Sequence, residues 1–299
     1  MRRWFSGFRR AAAAAAAALI LLSALAGCGT PRRDLPLSQR ITNMEEIIAS
    51  VRQGLRGHAR SITITFDYGS DIFEELNGVI GAWMEEALAE TDAPDEGDYL
   101  RYQSGGYTYN SSYTIEDGRW RYTVRLTPDY YTYLSQEEQV TQAVEEILDD
   151  LAFRRSTSDY EKIRAIYDYL CANVAYDKVH QKNPYSHLKS TAYAALIQHT
   201  ATCQGYCTAL YRLLRESGIE CRIVTGTASG EEGVEKHAWV IAALDGQYYN
   251  LDPTWDAGSE EYRFFLLGER AFADHLRGEE FETEAFRTRY PMAETSYIP

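Results

Sequence analysis

The chain has 299 residues, 45% of them hydrophobic, with a formal net charge of -14 and a pI near 4.9. That length and apolar content suffice for a sizeable core, and 23 tyrosines with 5 tryptophans exclude a disordered chain. No long Lys/Arg run follows the extreme N-terminus, which excludes a nucleic-acid partner.

Arg2, Arg3, Arg9 and Arg10 flank and precede an apolar run over 11–22, and Leu25-Ala26-Gly27-Cys28 closes it. Basic, apolar and small-then-cysteine elements in that order resemble a bacterial lipoprotein signal peptide over 1–28, ending in a lipobox. The resemblance implies that Cys28 is lipidated. The chain is then expected to be exported and lipid-anchored to the bacterial cell membrane, facing outside the cytoplasm. An ordinary secretory signal ending in a cysteine is the alternative, and it also exports the chain. No later run reaches about 18 apolar residues, so no further membrane span is expected.

Residues 29–40, with Pro31 and Pro36, read as a tether. A small α+β domain over 41–134 follows. It comprises an alternating strand over 61–66, an amphipathic helix over 73–88 with Ile72, Leu76, Ile80, Trp83, Met84 and Leu88 inward, and a breaker over 90–98. Strands over 99–115 and 119–130 flank a hairpin turn at Glu116-Asp117-Gly118.

The second domain, 135–299, opens on a capping box, Ser135 with Glu138, and a helix to about 153. Ser158 caps another helix, whose inward face is Ile163, Ile166, Tyr167 and Leu170. A polar stretch over 172–189 and a short helix over 191–198 lead to a helix that starts at Cys203 and stops at Gly218. On it Cys203, Cys207, Leu210 and Leu214 share one face. Strands over 221–227 and 235–244 follow, the latter pointing His237, Trp239 and Ile241 one way. Asp245-Gly246 is a two-residue hairpin turn, and 247–251 returns antiparallel.

That hairpin brings Asp252 back toward His237, and both are expected to face Cys203. A cysteine at a helix start, a histidine and an aspartate supply a nucleophile, its base and the group that orients the base. Backbone N–H groups of the first turn favour negative charge on the sulfur. Gly205 keeps the early helix thin enough for close approach. Gln198, Gln204, Tyr206 and Trp239 are candidates for the oxyanion hole or pocket wall, with the second oxyanion donor left open. Cys207 reads as a buried small hydrophobe, with pairing to Cys171 or Cys221 or a redox pair with Cys203 as alternatives. His180, His187, His199 and His275 are scattered without a compact ligand pattern, so no metal and no cofactor are expected.

Thr202-Cys203-Gln204-Gly205-Tyr206, His237-Ala238-Trp239 and Tyr249-Asn250-Leu251-Asp252-Pro253-Thr254-Trp255-Asp256 resemble, in that order, three blocks of the transglutaminase-like superfamily. The resemblance covers roughly 160–267 and includes Tyr262-Arg263-Phe264-Phe265-Leu266-Leu267 as a closing strand. It implies an α+β fold with a papain-like core, the nucleophile at a helix N-terminus packed on an antiparallel sheet, and Cys203, His237 and Asp252 as the triad. Position 207 departs from the pattern, with cysteine where alanine is common. The expected function is acyl transfer at amide bonds, as an amidase or peptidase on extracellular protein or cell-wall peptide. Protein crosslinking and a catalytically silent envelope module are the alternatives.

Overall fold

The computed structural model describes residues 43–230, 233–259 and 261–299. The expected signal peptide over 1–28 with Cys28, and the expected tether over 29–40, lie outside these residues.

The described chain opens with a helix that the sequence reading placed nowhere. In α1 (Met44–Arg56), Ile47, Ile48, Val51 and Leu55 fall on one stripe and are buried. Next come β1 (Ile62–Tyr68), α2 (Leu76–Ala87), α3 (Asp98–Tyr102), β2 (Ser104–Glu116) and β3 (Arg119–Tyr130). The three strands form an antiparallel sheet in the order β1-β3-β2, with Asp117 and Gly118 both at positive φ in the β2–β3 turn. Inward residues of β1 and β3, including Ile64, Phe66, Tyr122 and Val124, pack with α1 and α2 around Trp83.

The strand expected from residue 99 begins only at Ser104. Gly97 takes φ 62, the Asp98 amide donates to Glu90 Oε1 at 2.7 Å, and residues 98–102 wind into α3. Tyr99 is thereby buried in the larger apolar core that follows.

That core is assembled by α4 (Leu134–Leu151), α5 (Asp159–Asn173), β4 (Ala175–Tyr176), α6 (Ala192–Leu196), β5 (Thr200–Ala201) and α7 (Cys203–Glu216). β6 (Cys221–Gly230), β7 (Gly233–Leu244), β8 (Gln247–Leu251), α8 (Pro253–Asp256), β9 (His275–Arg277) and α9 (Glu284–Arg289) complete the chain. A four-stranded antiparallel sheet runs β8-β7-β6-β9. β4 and β5 pair in parallel, setting Tyr176 beside Ala201.

α7 is not the one-faced helix that the spacing predicted. Every residue from Gly205 to Leu214 is buried, because the sheet packs on one side and α4, α5 and α6 on the other. Each leucine so buried stabilises the fold by about 1.5–3 kcal/mol. The alternation predicted along β7 is present: Ala238, Val240 and Ala242 face α7, while Trp239 and Ile241 face Phe264, Phe272 and Tyr290.

Two further expectations are corrected. α4 starts at Leu134 after Tyr133, whose amide donates to Gln136 Oε1 at 2.9 Å, so Ser135 is inside the helix and not its cap. Glu138 accordingly closes no box. Residues 262–267 make no strand beyond a single bridge from Leu267 to Asn250. The Asp256 carboxylate takes the amides of Arg263 and Phe264 at 2.9 Å each, and Leu266 stands at φ 49, so an extended ladder cannot form. Ser158 caps α5 with Glu161 in a reciprocal box, as its spacing predicts.

Candidate active site

Cys203 is the first residue of α7, half-buried at the end where unpaired backbone N–H groups point. β5 delivers the chain to it, and the Thr202 amide is tied to Lys189 O at 2.9 Å. Gly205 leaves no space for a larger residue: a Cβ there would stand 2.8 Å from Lys189 O and 2.8 Å from Ala201 Cβ.

His237 lies on β7 and Asp252 caps α8, one hairpin later. The turn residues Asp245 (φ 53) and Gly246 (φ 80) fold β8 back along β7. His237 Nε2 lies 2.7 Å from Asp252 Oδ2, and the Cys203 sulfur is near enough to the imidazole to help raise it. The structure thus brings Cys203, His237 and Asp252 together. Asp252 is fully buried, and its Oδ1 accepts the Thr254 amide at 3.0 Å.

Burial opposes a charged His237, but the Asp252 carboxylate and then the Cys203 sulfur outweigh it and raise the imidazole to about 10. For Asp252 burial again opposes charge, while His237 and then His275 hold the carboxyl below its ordinary range. Both shifts run in the direction that favours a charged His237 beside a charged Asp252.

A cleft of about 300 Å³ opens beside Cys203, walled by Tyr176, Ser190, Gln204, Glu235 and Lys236. Of the pocket candidates, Gln204 lines this cleft, but its Nε2 already donates to Tyr102 O at 2.6 Å. Gln198 is exposed and does not line the cleft. Tyr206 is buried with its hydroxyl on Val174 O, and Trp239 is buried with its indole N–H on Asn250 Oδ1 at 3.1 Å. Both are wall-builders behind the site. Cys171, Cys207 and Cys221 are free and buried, so Cys207 pairs with no other cysteine among the described residues.

Two residues that the sequence reading passed over stand in the site. Tyr176 reaches it through the two-residue pairing of β4 with β5, and burial followed by the nearby Cys203 sulfur raises its phenol, which stays a proton donor. The sequence offers His275 only as one of several scattered histidines. It opens strand β9, and its Nε2 lies 3.2 Å from Asp252 Oδ2. No local motif marks either residue, since both depend on pairings between short strands. His237, Asp252 and His275 present ligand atoms within 4.8 Å of one another, a spacing open to a metal ion. The 2.7 and 3.2 Å separations about one carboxylate oxygen are those of hydrogen bonds, and an ion there would take His237 away from Asp252.

Residues 148–253 match the family described as Transglutaminase-like superfamily. The Kyphoscoliosis peptidase of Mus musculus is 29% identical over 149 residues, covering 46% of this chain and 22% of that protein. That of Homo sapiens is 29% identical over 124 residues, covering 38% of this chain and 18% of its own. The chain thus spans about a fifth of the length of these curated relatives. A solved structure described as a TGase aligns with a TM-score of 0.37 and 15% identity, over 67% of this chain and 52% of its own. Cys203, His237 and Asp252 all fall inside the segment, residues 148–253, that matches the transglutaminase-like superfamily model.

Proposed function

We propose that this protein is a cysteine-dependent acyl-transfer enzyme that acts at amide bonds of protein or peptide substrates. The observation that carries the reading is His237 held between buried Asp252 and Cys203 at the edge of an open cleft. In the proposed cycle the Cys203 sulfur attacks the amide carbonyl from its ion pair with His237. The oxyanion is held by the Cys203 amide and the Tyr176 hydroxyl. His237 protonates the departing amine, leaving a thioester, and water then attacks with His237 as base. Hydrolysis is favoured over crosslinking because water is the abundant acceptor for an exported enzyme. The kinship with proteins called peptidases agrees with that direction.

The test is site-resolved mass spectrometry of iodoacetamide labelling at Cys203 in the full-length chain across pH, beside His237→Ala. Fast labelling well below pH 8.5 that slows at least tenfold without His237 supports the reading. Labelling that ignores His237 overturns it and leaves a silent binding module. Incorporation of a fluorescent primary amine into casein, compared with ammonia or peptide release, separates transfer from hydrolysis. We also propose that the chain is lipid-anchored through Cys28. Incorporation of an alkyne fatty acid in a bacterial host, lost in Cys28→Ser, is the expected result.

A further inference from the structure

His275 is the least expected group near the triad. Its side chain is wholly buried, and it shares Asp252 Oδ2 with His237, its Nε2 at 3.2 Å against 2.7 Å for His237. Because Oδ2 of an ionised carboxylate only accepts, the His275 nitrogen facing it must carry the proton. Its other nitrogen, Nδ1, is buried without a hydrogen-bond partner. An unpaired buried ring nitrogen costs free energy, so nothing in the packing alone explains a histidine at this position.

The ring is fixed from several directions. It stacks on Phe272 with centroids 3.9 Å apart, and Trp255 and Trp239 stand at 4.6 and 5.2 Å. Its backbone pairs with Ala228 on β6. His237 and Asp252 are the titratable groups that its ring faces among the described residues. An aromatic cage that holds an imidazole with one N–H aimed at a catalytic carboxylate is a positioning device. Phenylalanine would fill the same cage without leaving a nitrogen unpaired.

We propose that His275 is a positioning residue for the acyl-transfer reaction, fixing the rotation of the Asp252 carboxylate so that Oδ2 faces His237. The proposal rests on the acyl-transfer reading given above. Oδ1 is anchored by the Thr254 amide, and Oδ2 by His275. With both ends anchored, the carboxylate presents one fixed acceptor to His237 whether or not His237 is charged. Without His275, only His237 itself would hold Oδ2, and the orienting group would turn with the ring it is meant to orient. The hydrogen bond from His275 is also among the causes that lower the Asp252 carboxyl.

The experiment compares His275→Gln, His275→Asn and His275→Phe in the full-length chain. A glutamine amide reaches Oδ2, whereas asparagine has the same chemistry and falls short. Cys203 labelling is followed across pH, with thermal melting as the control for folding. The low-field proton of the His237–Asp252 hydrogen bond is followed by NMR. We expect His275→Asn and His275→Phe to lose about tenfold or more in labelling rate, with the acid limb displaced to higher pH and the low-field proton shifted. His275→Gln is expected to return to within about threefold of the wild-type rate. Asparagine and glutamine forms that behave alike, or a phenylalanine form with wild-type rate, profile and proton shift, overturn the proposal. Should the phenylalanine form unfold, the asparagine and glutamine pair still decides. Wild-type labelling that ignores His237 sinks the acyl-transfer reading instead, and the NMR comparison then still reports whether His275 orients Asp252.

Discussion

At the scale of single residues, His237 is governed by what stands on its two sides. Its imidazole is raised in the fold from 6.5 to about 10, so the stability it contributes is fully present below pH 6.5 and is lost as pH rises through about 10. Asp252 is lowered from 3.8 to about 2, so its contribution is present above pH 3.8 and is lost as pH falls through about 2. Melting temperature is therefore expected to decline from about pH 6.5 to about pH 10, and His237→Gln is expected to flatten that limb. Asp252→Asn removes the charge that holds His237, and a loss of roughly 10²–10⁴-fold in turnover is expected, read by peptide hydrolysis. Tyr176→Phe separates attack from oxyanion stabilisation. Turnover is expected to fall by about 10²–10³-fold while Cys203 labelling keeps its rate. Equal losses in both assays would remove Tyr176 from the oxyanion hole.

Among the elements, the short ones carry the site and tolerate least. β9 is three residues long, yet it places His275 on Asp252, and β6 accepts it only because position 226 is glycine. A Cβ on Gly226 would lie 2.0 Å from Leu276 O and 3.0 Å from Arg277 Cα, both backbone atoms that cannot step aside. Gly226→Ala is expected to cost about 1–3 kcal/mol, measured by chemical denaturation, and to shift the His237–Asp252 proton by displacing β9. Unchanged stability would mean that β9 pairs more loosely than drawn. The Cys203 helix is similarly pinned at Gly205, against backbone oxygens of Lys189 and Thr191.

Across the whole molecule, the N-terminal α+β unit is bound to α7 and the four-stranded sheet by buried charge. Arg222 on β6 grips Asp98 of α3 with two hydrogen bonds of 2.7 and 3.0 Å, and Glu90 accepts from Tyr211 of α7 at 2.6 Å. Arg222→Met leaves Asp98 buried and uncompensated, and a loss of about 3–5 kcal/mol in stability is expected by denaturant titration. Glu90 is raised from 4.5 to about 7, first by burial and then by the neighbouring Asp98 carboxylate, against the pull of Arg222. Because the folded state holds this proton more tightly, Glu90 costs stability as pH rises from about 4.5 through 7. Glu90→Gln is expected to melt higher than wild type at pH 8 and about equally at pH 4.5, by about 2–4 °C for each kcal/mol recovered. The Gln204 bond to Tyr102 O ties this same interface to the residue after Cys203.

The local parts of this architecture were legible in the sequence because their causes are local. Asp117-Gly118 and Asp245-Gly246 made their turns since both positions need positive φ, and the β7–β8 turn alone predicts that Asp252 meets His237. The start of α7 at Cys203, its end before Gly218 and the alternation of β7 likewise follow from residue type and period. What the sequence could not decide was set by partners far along the chain. Glu90 and Gly97 turned an expected strand into α3, and Asp256 took the amides that a strand over 262–267 would have used. Tyr176 and His275 joined the site through strands of two and three residues, too short to leave a periodic signal. Hydrophobic period and turn chemistry act over a few residues, whereas the placement of those two side chains depends on pairings that exist only once the sheet and α7 have closed around Cys203.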